Sequence, residues 1–137
     1  MRLAYRRYAV AALATTALAY CTSSLGPALP MCSGSVTLTF AATPAPNLSW
    51  TPNCLVDHVL ADEPLPPSVG GFNFVWQIVA RSKGQGAAAP LEYGTVPPSM
   101  QELIAAKPLL AGHSYRVRIY ANDVTVSEVQ FTYWPPD

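Results

Sequence analysis

The chain has 137 residues, eight basic and eight acidic side chains, and 14 prolines. With its amino-terminal leader set aside, five basic residues (Arg81, Lys83, Lys107, Arg116 and Arg118) stand against eight acidic ones, which excludes the clustered cationic surface that nucleic acid requires. Beyond the leader the prolines interrupt nearly every long helical pattern, and the short apolar runs left between proline and glycine have the composition of a single all-β domain.

In chain order, the leader comes first. Arg2, Arg6 and Arg7 precede an uncharged run from Ala9 to Tyr20, which ends at Cys21. A basic head, about a dozen small or apolar residues and a small-residue exit are the layout of an export signal. The run falls short of the ~20 residues that a membrane-spanning helix needs. Residues 1–20 are therefore expected to be a signal peptide, 21–34 a tether of small residues and proline, and 35–137 the folded domain. Export also places the chain where disulfides persist. Of the three cysteines, Cys21 sits at the leader's exit, which leaves Cys32 and Cys54 as a pair.

Residues 35–41 alternate Val36, Leu38 and Phe40 with Thr37 and Thr39, a half-buried strand. Pro44 and Pro46 turn the chain into a second strand over 47–51. Placing Leu38 opposite Leu48 and Val36 opposite Trp50 brings Cys32 opposite Cys54 at the open end of the ribbon, within bridging reach. Closing that loop of about 22 residues is worth about 3 kcal/mol in the chain-entropy model. Residues 56–61 form a third strand, and 62–71 form a loop rich in proline and glycine. Phe72, Phe74, Trp76 and Ile78 then alternate with Asn73, Val75, Gln77 and Val79, apolar enough on both faces for a central strand. This alternation puts Phe74 and Trp76 in the core, together with Trp50 and Tyr115. Residues 82–89 read as a flexible turn and 91–96 as a short strand. Ser99 and Glu102 have capping-box spacing ahead of Leu103 and Ile104, so 99–107 reads equally as a helical turn or an irregular strand. Strands over 114–121 and 128–134 close the domain, with turn chemistry at Asn122-Asp123.

Two segments resemble known families. Leu18-Ala19-Tyr20-Cys21 resembles the lipobox of bacterial lipoproteins, where a peptidase cuts ahead of a lipid-bearing cysteine. This resemblance implies lipidation of Cys21 and a membrane partner through that anchor. Cleavage by ordinary signal peptidase, giving a secreted protein, is the alternative. Leu109-Leu-Ala-Gly112-His-Ser-Tyr115-Arg-Val117-Arg-Ile119-Tyr-Ala121 resembles the corner between the fifth and sixth strands of fibronectin type III domains, with Ala111 where proline is expected. Leu48-Ser-Trp50-Thr-Pro52 is similar to that family's second strand, whose tryptophan is a core residue. The implied fold is a single immunoglobulin-like or fibronectin type III-like antiparallel sandwich. It would carry a tyrosine corner at Leu109, Gly112 and Tyr115, the hydroxyl bonding backbone upstream. Such sandwiches host many roles, so function has to be read from a site.

Catalytic signals are sparse. No Gly-x-Ser-x-Gly, His-Glu-x-x-His or phosphate-cradling glycine loop occurs. His58 and His113 are distant in sequence, and with two cysteines they fall short of a metal ligand set. Asp57, Asp62 and Glu63 read as ordinary loop acids. The expectation is a non-enzymatic exported protein of the cell envelope, with no cofactor and no metal, displaying a binding or structural surface. Its candidate surface is Tyr120 with Arg116 and Arg118 on one strand face, and Trp134 at the last strand's end. Exposed rings beside basic groups stack on sugars or anchor proteins, so the partner is an unspecified protein or glycan. A carbohydrate-binding module using Tyr120 and Trp134 is the alternative.

Overall fold

Eight strands account for the regular structure of the computed structural model, which describes residues 28–137. They are β1 (Thr37–Ala41), β2 (Asn47–Thr51), β3 (His58–Pro64), β4 (Phe72–Ala80), β5 (Leu91–Glu92), β6 (Met100–Ile104), β7 (Ser114–Ala121) and β8 (Val124–Thr132). They form two antiparallel sheets, β1-β2-β5 and β6-β4-β3-β7-β8, packed as an all-β sandwich. The leader, Cys21 and most of the expected tether lie outside the described residues. Pro30 to Cys32, also expected to be tether, lie against the domain: the Cys32 N–H donates to Leu55 O and the Leu55 N–H to Pro30 O, each at 2.8 Å.

Side-chain alternation explains the core. Leu38, Leu48 and Trp50 from the small sheet meet Val59, Ala61, Trp76, Ile78, Val117 and Ile119 from the large one. On β7, Tyr115, Val117, Ile119 and Ala121 are buried, so the residues between them face outward. The Tyr115 hydroxyl accepts the Leu110 N–H at 2.9 Å, and Gly112 supplies the positive φ (78°) that the turn between them requires. Asn122 and Asp123, both at positive φ, make the tight turn between β7 and β8.

The structure departs from the sequence expectations at several places. The β1–β2 register pairs Leu38 with Trp50 and Phe40 with Leu48, two positions away from the expected one. Cys32 and Cys54 are bridged, with Cα atoms 4.9 Å apart, by a different route. Met31 runs parallel to Leu55 after the chain bends at Pro52 and Asn53, so the bridge is not an extension of the hairpin. Strand β3 starts at His58 and runs on to Pro64, through residues expected to be loop. Residues 100–104 form strand β6, and the Ser99 hydroxyl donates to Gly86 O at 2.7 Å instead of capping a helix. Strand β8 starts earlier than expected, at the Asn122-Asp123 turn, and stops before Trp134.

The largest departure is in β4. Ala61 pairs with Trp76 but Asp62 pairs with Phe74, so Val75 is an extra residue, a β-bulge. Val75 and Trp76 are both buried, and the bulge carbonyl is bonded by the Lys107 N–H (2.9 Å) and the Tyr93 hydroxyl (3.2 Å). Beyond the bulge the alternation has changed sides. Phe74, expected in the core, is 43% exposed, and Phe72 is 48% exposed.

Candidate functional site

The outward face of the large sheet gathers charge and aromatic rings. Arg116 and Arg118 project from β7, and Asp62 projects between them from the adjacent β3, where it pairs with Arg116. The Arg116 Nε–H donates to Asp62 Oδ1 at 3.2 Å, and Nη2 donates to Oδ2 at 3.0 Å. Arg118 Nη2 donates to the same Oδ2 at 3.0 Å. Asp62 itself has 0% exposure, covered on the outside of the sheet by its own partners. The Arg116 guanidinium carbon lies 4.1 Å from the centre of the Phe72 ring, a cation–π contact that completes the cover. Charge-assisted, bidentate bonds of this kind are the strong ones, and they offset the cost of withdrawing a carboxylate from water. Among the described residues, the Nε–H of Arg118 has no partner.

Further along the same face, the His58 ring stacks on Tyr120 with centroids 4.5 Å apart, and its Nε2 lies 2.9 Å from Gln77 Nε2. Burial, the largest influence, holds His58 below its ordinary pKa against the opposing pull of Asp57. Neutral imidazole accepts the Gln77 amide through Nε2, which places its proton on Nδ1. Beside this pair is an open groove of about 650 Å³ lined by Asp57, His58, Val79, Ser82, Lys83 and Asn122, among others. Asp57 helps to close the groove's floor, its Oδ2 accepting the Asn122 N–H at 2.7 Å.

The molecule has two distinct ends. Because β4, β3, β7 and β8 are successive antiparallel neighbours, one end gathers the start of β3, the β7–β8 turn, the Cys32–Cys54 bridge and the groove. The opposite end gathers the loop between β3 and β4, the corner before β7 and the residues after β8. Six large apolar side chains are exposed toward that far end: Leu65, Val69, Phe72, Phe74, Leu110 and Trp134. Trp134, 65% exposed, lies over Gly112, where an added Cβ would come within 3.4 Å of its Cη2. His113 Nδ1 bonds Glu63 Oε1, tying the corner to the base of the β3–β4 loop.

The expected surface residues are thus separated. Arg116, Arg118 and Tyr120 share one face, but Tyr120 is at the disulfide end of β7 and Trp134 beyond its far end, so the two rings form no common platform. Tyr120 also has one ring face occupied by His58. Sequence reasoning missed Asp62, Phe72 and Phe74. Asp62 falls in a stretch whose prolines read as loop, and the alternation of β4 passes through a bulge that no residue type announces. Among the described residues, no group of three or more His, Cys, Asp or Glu side chains is placed to hold a metal ion. Comparison with protein-family models, with curated proteins and with solved structures gave no match.

Proposed function

We propose that the protein is a non-enzymatic, exported binding domain of the cell envelope, held through lipid at Cys21 and making contact through the end of the sandwich remote from that anchor. One observation carries the reading. Among the described residues, Pro30 to Cys32, nearest to Cys21 in sequence, lie at the disulfide end, whereas six of the eight exposed large apolar side chains lie toward the other. Isolated exposed apolar residues are ordinary; a cluster of them at one end marks a contact surface. The pairing of Cys32 with Cys54 fits an oxidising compartment. Both histidines are engaged, His58 with Gln77 and Tyr120, His113 with Glu63, and among the described residues neither is bonded to a serine, threonine or cysteine that it could activate. A fibronectin type III-like fold is supported by the Tyr115–Leu110 bond and by the order β4-β3-β7-β8, which corresponds to C′-C-F-G of immunoglobulin-type sandwiches.

Two experiments test this reading. Intact mass of the protein from membrane and soluble fractions, beside a Cys21→Ala variant, is expected to show acyl mass on an amino-terminal Cys21 that the variant lacks. An unmodified, soluble amino terminus would remove the anchor from the reading. Photo-crosslinking in cells, with a benzoylphenylalanine at position 72 or at position 83, is expected to give adducts from the former and not the latter. Equal adducts from both positions, or none from position 72, would refute contact through the far end.

A further inference from the structure

The far end has a shape and chemistry that narrow its partner, given that this end is the contact surface. From Pro64 to Ala80 the chain carries no charged residue. Its first part is a loop stiffened by Pro64, Pro66 and Pro67 and closed by the Leu65 N–H donating to Gly71 O at 3.1 Å. Prolines lower the entropy of the free loop, so its apolar side chains are presented at little ordering cost. Val69 is 72% exposed within it.

Behind the loop lie rings and cations. Phe72 and Phe74 follow on β4, Trp134 lies on the neighbouring corner, Lys107 reaches Asn73 Oδ1 at 3.2 Å, and Arg116 lies against Phe72. Of the acidic side chains toward this end, Asp62 is engaged by the two arginines and Glu63 by His113, while Asp137 is exposed three positions beyond Trp134. Asp57 and Asp123 belong to the opposite end, where the groove is. Aliphatic residues on a loop, aromatic rings behind them and long cationic side chains further back reproduce the sequence of chemistries met on entering a bilayer interface. Protein partners hold their anchors in pockets and flat, well-packed patches. A protruding loop of aliphatic side chains suits lipid instead.

We infer that the far end docks on a lipid bilayer, with Leu65 and Val69 entering the interface and Trp134 at headgroup depth. The protein carries its own reporter, because Trp50 and Trp76 are buried and Trp134 is exposed. The full chain is titrated with vesicles of phosphatidylcholine and phosphatidylglycerol in equal parts, and tryptophan emission is read. All variants keep residues 1–27, so any membrane affinity of that segment is common to them and to the wild-type chain. Emission is expected to shift to the blue and to be quenched by brominated acyl chains, with both effects absent in Trp134→Phe. Leu65→Asp and Val69→Asp are each expected to weaken the response at least tenfold (order of magnitude from apolar side-chain burial), while Lys83→Ala at the other end leaves it unchanged.

An unshifted Trp134 in the wild-type chain overturns the inference without recourse to any variant, as does an undiminished response in both loop variants. Crosslinks from position 72 to a protein, with vesicles silent, would replace the bilayer by a protein while keeping the far end as the contact surface. Silence in both assays would remove that surface as well.

Discussion

Replacing Asp62 by alanine is expected to destabilise the domain by about 3 kcal/mol. The substitution leaves Arg116 and Arg118, side chains only 15% and 24% exposed, facing each other with their shared counter-ion gone. Removing one partner of a buried ion pair costs more than the pair's net worth, because the remaining charge has lost both water and partner. The partial exposure of the arginines keeps the estimate at the lower end of the range for buried pairs. For a domain with a total stability of about 5–15 kcal/mol, such a loss is visible in a urea titration. Arg118→Ala is expected to cost less, since Arg116 retains its bidentate grip on the carboxylate. An Asp62→Ala variant within ~1 kcal/mol of wild type would mean that the arginines recover their hydration freely and that the cluster is not structural.

Loss of the Cys32–Cys54 bridge is the second large effect. In Cys32→Ala/Cys54→Ala, the unfolded chain regains the freedom of a closed loop spanning 22 positions, worth about 3 kcal/mol. Both cysteines belong to the buried core, so the smaller alanine side chains add a modest packing loss. For a domain of this size the thermal midpoint should fall by about 10–20 °C. Reduced wild-type protein should match the double variant. A fall of less than ~1 kcal/mol would mean that the loop is already restrained in the unfolded chain, so that the bridge removes little freedom from it.

Local signals carried most of the fold. Strand β7 was legible from end to end, because Tyr115, Val117, Ile119 and Ala121 alternate strictly with polar residues, and the same alternation placed Arg116, Arg118 and Tyr120 on one outward face. The cysteine pair is legible from composition and compartment, although the β1–β2 register lies two positions from the one that would set the cysteines opposite each other. A two-position slip keeps every side chain on its face, so hydrophobic pattern alone does not detect it. What stayed hidden depends on one strand's count against another. The extra residue at Val75 is chemically ordinary, yet it turns Phe72 and Phe74 outward. Asp62 looked like a loop acid because three prolines follow it closely. Its partners lie 54 and 56 residues away, and only the pairing of β3 with β7 brings them together.

The route of the disulfide has a mechanical side. A pull on the amino-terminal segment arrives at Cys32 and passes through the covalent bridge to Cys54, and from there directly into Leu55 and β3. Strands β1 and β2 lie wholly inside the bridged segment and are shunted out of the path of tension. The load falls instead on β3, which is clamped between β4 and β7 at the centre of the large sheet. A domain anchored at one end and engaged at the other would thus carry force along the central strand of its large sheet, and the hairpin that closes its small sheet would be spared from peeling while the bridge is intact.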